Sequence, residues 1–470
     1  MALKKLTIES FIGLDQSVDE NRISPSYSPD AANISTDGGQ LSVARGYIKY
    51  TASAVPGTGR IRYMTCFRTS DSSYPVVISD SKIYAFKGNA WTLIHTIAGS
   101  LLNIKFSSLM ARINTTNYLI IADGKNQLLK YDGTSVTKFG SEAGCSNVPV
   151  SFLTMYRGRL FASGDPNNPD RLYYSVLPGS GRTIEDWGSV EASPNVEGGY
   201  VEIGPGGGDP IVGIYALSNQ LLIFKKYSLY RLIGDRPSNF TVEHIDTSYL
   251  CPVNNAIAAY GDVLFFLTKK GLYYYNGVTA RPSPDIFKIK KLMNNALTTT
   301  TQMVIIEDKL YFNIRIGSED KLIEYDLLER KYMLREGFGL SCMTGYSGVL
   351  LFINLNRYVY IFDRGTSYDG EPINARWRIP TSDLGDKTTI KNLNELYLRG
   401  SGGYINITTR ADQHTDHYRR KLPQNITDVL ELPLINEGRC IGLTIENDAG
   451  STFSITGGLE LLLSVRYRTM

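Results

Sequence analysis

From residue 51 to about residue 365 the chain repeats one pattern of apolar and polar positions. Its fullest copy is Tyr260-Gly-Asp-Val-Leu-Phe-Phe-Leu-Thr-Lys-Lys-Gly-Leu-Tyr-Tyr-Tyr-Asn-Gly277. The run 263–267 is apolar and short enough for one buried strand. Lys269-Lys270-Gly271 is a polar turn in which glycine can take a positive φ. Residues 272–275 form a second, aromatic run suited to a pleated, half-buried surface. Asn276-Gly277 is a further hairpin signal.

Looser copies pair Val76-Val77-Ile78 with 82–88, Leu119-Ile120-Ile121 with 128–133, and Leu221-Leu222-Ile223-Phe224 with 229–232. Two more pair 310–314 with 322–326 and 350–353 with 358–362. The second-run aromatics Phe86, Tyr131, Tyr174, Tyr230, Tyr275, Tyr325 and Phe362 step by 45, 43, 56, 45, 50 and 37 residues. A four-stranded propeller blade takes roughly 40–50 residues. A blade's apolar faces are covered only by its neighbours, so such repeats fold as a set. The pattern predicts an all-β chain with a β-propeller of six to eight blades over 51–365. The alternative is a series of hairpins in stacked sandwiches.

Residues 1–50 are polar and irregular, and read as an extended or hairpin segment packing on the body. Pro25 and Pro29 exclude an interior helix or central strand there. From 366 to 470 the repeated phrase stops. Short runs at 394–398, 404–409, 428–432, 440–446, 452–456 and 459–467 are separated by turns, Gly457-Gly458 among them. This spacing predicts a C-terminal β-sandwich. One stretch, 285–297, predicts a helix. Asp285 can cap it, and Ile286, Ile289, Met293 and Leu297 recur on one face while Lys288, Lys290 and Lys291 point elsewhere. That face either packs on the side of a blade or docks a neighbouring subunit.

Composition narrows the function. The 49 basic and 46 acidic residues leave a net charge of +3, without the clustered basic footprint of a dedicated phosphate binder. Cys66, Cys145, Cys251, Cys342 and Cys440 are odd in number and lack a Cys-x-x-Cys pair. They suit a reducing cytoplasm rather than a disulfide framework or zinc site. No apolar stretch approaches a membrane span, and Met1-Ala-Leu-Lys-Lys-Leu6 is not followed by a signal-peptide core, so neither is expected.

Candidate chemistry is thin. Asp412, His414, Asp416 and His417 are metal-capable types, but Arg419-Arg420-Lys421 follows at once, and 412–421 reads as a solvated loop. Gly204-Pro-Gly-Gly-Gly-Asp-Pro210 lacks the Lys-Ser/Thr of a phosphate loop and reads as a connection. His95 and His244 lie in strand-like runs. Asp123, Asp132, Asp165, Asp209, Asp262, Asp326 and Asp363 form no carboxylate pair of the kind glycosidases need. Many sit in turns that backbone chemistry explains. No catalytic residue, cofactor or metal is expected.

Asn33, the Gly38-Gly39 turn, Leu41 and Arg45-Gly46-Tyr47 follow in an order that resembles the N-terminal signature of phage structural propeller proteins. The likeness is to the tail nozzle (tail-hub, packaged-DNA-stabilisation) proteins of short-tailed bacteriophages. Gly442-Leu-Thr-Ile-Glu446 and Phe453-Ser-Ile-Thr-Gly-Gly-Leu-Glu-Leu461 resemble the C-terminal end of that family, where a strand pair closes the chain. The resemblance implies a non-enzymatic virion protein made in the host cytoplasm. It implies a homo-oligomeric ring, six-fold, in the tail. Such a ring would extend the channel below the portal and adaptor proteins, help retain packaged DNA, and meet tail fibre, tailspike or needle proteins. DNA would pass without sequence-specific binding. Interface candidates are Ile286, Ile289, Met293 and Leu297 on the predicted helix, with Arg419 and Arg420 in the loop. A receptor- or carbohydrate-binding propeller is the alternative. It would want exposed Trp or Tyr at equivalent blade positions, and the three tryptophans, Trp91, Trp187 and Trp377, are not so placed.

Overall fold

A computed structural model describes residues 2–99, 105–140, 148–188, 197–206, 209–246, 256–296, 301–448 and 450–466. Consecutive antiparallel strands form blades over 61–96, 107–138, 152–202, 211–246 and 257–282, four strands in each. A sixth blade, 303–335, is extended by Gly13–Leu14 and Tyr27–Ser28 at its outer edge. The seventh takes three strands from 340–362, and its fourth is Tyr47–Lys49. Among the described residues the blades number seven, within the expected six to eight.

Ring closure follows from the innermost strands. Leu340–Tyr346 of the last blade lies against Ile61–Arg68 of the first. The aromatic series marks the third strand of every blade, from Phe86 in Lys82–Lys87 to Phe362 in Val359–Phe362. Each of those rings is buried or half-buried. The apolar second strand beside it is buried on both faces, as in Gln220–Lys225 and Lys309–Ile316. The period-2 pattern is weak in such strands because both faces meet a neighbouring blade.

Strands between Arg376 and Arg466 form two antiparallel sheets with help from the N-terminal segment. The first runs Val429–Gly438, Ile390–Gly402, Phe453–Arg466, Leu41–Val43, Ile34–Ser35, with Ala2–Ile8 also on Phe453–Arg466. The second runs His414–Lys421, Tyr404–Ala411, Ile441–Asn447, Arg376–Ser382, Ala31–Ala32. Leu396, Leu461 and Leu463 of the first share one buried cluster with Trp377, Ile405 and Ile445 of the second. Leu272 of blade five and Leu310, Phe312 and Tyr325 of blade six belong to the same cluster. The N-terminal segment is thus threaded through both halves of the molecule.

Three local expectations are corrected. Over 285–296 the structure has a 3-10 turn, Ile286–Ile289, followed by a short helix, Lys290–Asn294. Asp285 does not cap it, because its carboxylate is taken by Lys288 at 3.2 Å and Arg330 at 3.0 Å. The stretch 412–421 is not a loop: His414–Lys421 is an edge strand joined to Tyr404–Ala411 by a tight turn, with Asp412 at φ 52°. Gly457-Gly458 is not a turn between strands but a bulge inside Phe453–Arg466, where the partner of Leu398 is Leu459 and that of Arg399 is Thr456. The bulge leaves room for the Ile8 carbonyl, since a Cβ on Gly458 would lie 1.7 Å from it.

Candidate interaction surfaces

The polar residues that could have carried chemistry are engaged in building turns. Asp123, Asp132, Asp165 and Asp326 each accept backbone N–H groups two or three residues ahead. Asp209 receives Tyr227 N and Ser228 Oγ, and Asp262 receives Ser218 Oγ from the preceding blade. The start of the glycine-rich connection is tied down by Lys225, buried, whose Nζ donates to Asp170 Oδ1 and to the carbonyls of Ile203 and Gly204. That lysine cradles protein oxygens rather than a ligand phosphate. His95 and His244 lie in strands, His244 with its ring 4.9 Å from that of Tyr230.

The Asp-x-His-x-Asp-His run cannot converge. Along one strand His414 and Asp416 point to one face and His417 to the other. Asp412 is occupied by the backbone N–H groups of Arg439 and Cys440, which hold its carboxyl below the usual range. Among the described residues no group of three His, Cys, Asp or Glu is placed to hold a metal. Cys66 and Cys342 are buried at the seam between blades one and seven, where burial pushes both thiols up to about 11. Cys145, Cys251 and Leu297 lie outside the described residues.

The interface candidates separate into two groups. Ile289 and Met293 belong to the main core cluster and Ile286 to that of blades four and five. They pack on the blades and are not available to a neighbour. What the 285–296 element shows outward is Phe287, 61% exposed, with Lys290, Lys291 and Asn294. The two lysines and Arg22 line an open cleft of about 280 Å³ against the N-terminal segment. Arg419 and Arg420, by contrast, are exposed on the His414–Lys421 edge strand.

That edge strand and its partner form a face the sequence reading missed. Burial alternates along Tyr404–Ala411, with Ile405, Ile407, Thr409 and Ala411 inward. The opposite face therefore carries Tyr404, Asn406, Thr408 and Arg410, and by register Thr415, His417, Arg419 and Lys421. Arg419 lies over the Tyr404 ring at 4.3 Å and pairs with Asp448; His417 Nδ1 is 3.0 Å from Thr408 Oγ1. The signal was present: two alternating runs flank Asp412-Gln413, a two-residue hairpin loop.

The N-terminal signature residues are joints. Asn33, buried at φ 57°, donates to the carbonyls of Glu336 and Asn374 and accepts from Glu336 N and Tyr368 OH. Gly46 passes so close to Ser367 that a Cβ would lie 1.9 Å from its carbonyl oxygen. The Tyr47 ring sits among Phe338, Phe352, Tyr360 and Tyr368, and burial pushes its hydroxyl up to about 12. Leu41 pairs with Ile455, so the two ends quoted for the family resemblance are hydrogen-bonded neighbours in one sheet.

An open cleft of about 360 Å³ on blade three, lined by Asn167, Asn168, Arg171 and Tyr200, has the polar groups a sugar would need. Tyr200 is 49% exposed, with Arg171 stacked on its ring at 4.0 Å. Trp187 and Trp377 are buried core residues.

No protein-family model matches the chain, and no curated protein matches it. Among solved structures, the computationally designed protein Ika8 aligns with a TM-score of 0.42 at 9% identity, over 76% of this chain and 99% of its own. BamB from Moraxella catarrhalis aligns at 0.42 and 12%, over 77% and 98%. The Pan2 WD40 domain of Neurospora crassa aligns at 0.41 and 9%, over 68% of this chain and 95% of its own.

Proposed function

We propose that this β-propeller is a structural protein of a bacteriophage tail. It would form a ring that extends the DNA channel from the portal and adaptor and helps hold packaged DNA. The observation that carries this reading is the pairing of Leu41 with Ile455. Two stretches at opposite ends of the chain, each resembling the nozzle family, form one structural unit. A chance likeness at two remote places has no reason to fall on adjacent strands. The reading is also favoured by the use of carboxylates and histidines in turns and sheets, which leaves surfaces to do the work. A ring needs heterologous contacts that close. The exposed Phe287–Lys291 surface and the His414–Lys421 edge are the candidates for those contacts.

Electron microscopy of negatively stained protein, alone and mixed with its portal–adaptor assembly, tests the proposal. Closed rings with a lumen wide enough for duplex DNA are expected, at least on the adaptor. Monomers that ignore the adaptor would overturn it. The second reading, a receptor- or glycan-binding propeller, draws on the exposed Tyr200 beside Asn167 and Asn168. It predicts glycan binding that Tyr200→Ala abolishes.

A further inference from the structure

The strand pairs nearest the propeller axis all turn at the same mouth of the ring. In blades two to seven the turn is two residues long, and its first residue has a positive φ: Asn114, Arg157, Ser218, Gly261, Glu307 and Ser347. These are the primed turns that hairpins favour, and they set side chains at equivalent places around the mouth. Charge around them is antisymmetric about blade four. Blades two and three carry Arg112 and Arg157, blade four carries Ser218 and Asn219, and blades five and six carry Asp262, Glu307 and Asp308. Ser347-Gly348 of blade seven is neutral, and the longer turn of blade one holds Arg68 with Asp71. Arg112, Arg157, Asp262 and Glu307 are exposed, and among the described residues none of them makes an ion pair. Arg157 donates to Asn219 Oδ1 at 2.8 Å and Asp262 accepts from Ser218 Oγ, both in the blade-four turn. Asp308 accepts from Tyr260 OH. These neutral partners fix where the charges sit without cancelling them. An exposed aliphatic side chain lies on either side of blade four. Leu177, 41% exposed, sits beside Gly158, and Val278, 65% exposed, follows Gly277, whose carbonyl receives Gln220 Nε2.

We infer that this mouth docks on the mouth of a second copy of the chain, about a two-fold axis along the radius of blade four. Turning a copy over about that radius places its blade five on blade three and its blade six on blade two. Arg157 then meets Asp262, Arg112 meets Glu307 and Asp308, and Leu177 meets Val278, each pairing made twice. Axes along blades two, three, five or six would set like charges together, which costs affinity. Axes along blades one or seven would match only some of the charges. The contact is isologous and closes at two copies. It differs from the heterologous, ring-closing contact of the nozzle reading and does not depend on it.

Sedimentation velocity of the full chain, over a concentration series up to about 200 µM, tests the inference. A monomer–dimer equilibrium is expected, weakening about threefold or more as salt rises from about 50 to about 500 mM, because the pairs lie at an exposed rim. Arg157→Asp and Asp262→Arg each set like charges opposite one another twice, and each should weaken the dimer about tenfold or more. An equimolar mixture of the two variants should recover it, since every altered side chain then faces its opposite. Circular dichroism melts of both variants separate loss of contact from loss of fold. A parent that stays monomeric at about 200 µM in about 50 mM salt would overturn the inference. So would variants that associate like the parent, or a mixture no better than either variant alone. Rings unmoved by both substitutions would overturn it while leaving the nozzle reading intact.

Discussion

At the scale of single residues, close approach and buried charge decide the sensitive positions. Gly46→Ala forces a Cβ into the Ser367 carbonyl, and overpacking of this kind costs about 1–3 kcal/mol. Gly38→Ala meets no atom within 4 Å and suffers only its φ of 66°. Thermal melts should therefore rank Gly46→Ala as the worse of the two, and the reverse order would show that the Gly46 backbone shifts freely. Glu324 is the second such position. Burial pushes its carboxyl up, but Arg335 and Lys309, at 3.1 and 2.7 Å, outweigh burial and hold it below its ordinary 4.5. A lowered carboxyl contributes stability that is complete above the unfolded value and is lost as pH falls through the folded one. Glu324→Gln strands the buried Arg335 and the half-buried Lys309 and should cost about 3 kcal/mol near neutrality. The gap between parent and variant should narrow as pH drops below 4.5, read by denaturant titration across that range. A constant gap would mean that Glu324 does not titrate with folding.

At the scale of elements, the N-terminal segment contributes unequally along its length. Tyr47–Lys49 completes blade seven, and Tyr47→Ala would empty a site among four aromatic rings at a cost of about 3–5 kcal/mol. Ala2–Ile8 is mostly exposed, and its Lys5–Glu460 pair is a surface one of little worth. Removing residues 1–6 should thus leave the melting temperature nearly unchanged while Tyr47→Ala lowers it by several degrees. Equal losses would place the joint elsewhere. The same contrast explains what could be read from the chain. Apolar second strands and aromatic third strands were legible because they repeat and lie next to each other in sequence. The fourth strand of blade seven was not, because Tyr47 meets Phe362 across more than 300 residues and no local pattern encodes that pairing. The 285–297 stretch misled for a related reason. Its apolar spacing is real, but Asp285 is drawn to Arg330 of blade six, so the element shortens and its apolar face turns into the core.

At the scale of the whole molecule, propeller and two-sheet body share a core rather than a linker. Phe11 of the N-terminal segment lies edge-on to Trp377 at 5.5 Å, and both join a cluster that runs from Leu272 and Phe312 to Leu396 and Leu463. The seven-bladed ring is itself fastened by Tyr47–Lys49, a strand whose predecessors Ile34–Ser35 and Leu41–Val43 belong to the other body. Opening either body therefore exposes apolar surface in both. Calorimetry should show a single cooperative transition, and Tyr47→Ala should move the whole of it to lower temperature rather than split off a propeller peak. Two resolved transitions, with only one shifted, would mean that the shared cluster contributes little and that the bodies fold as separate domains. A single transition would also bear on assembly, since contacts made by blade or hairpin would then rest on one rigid unit.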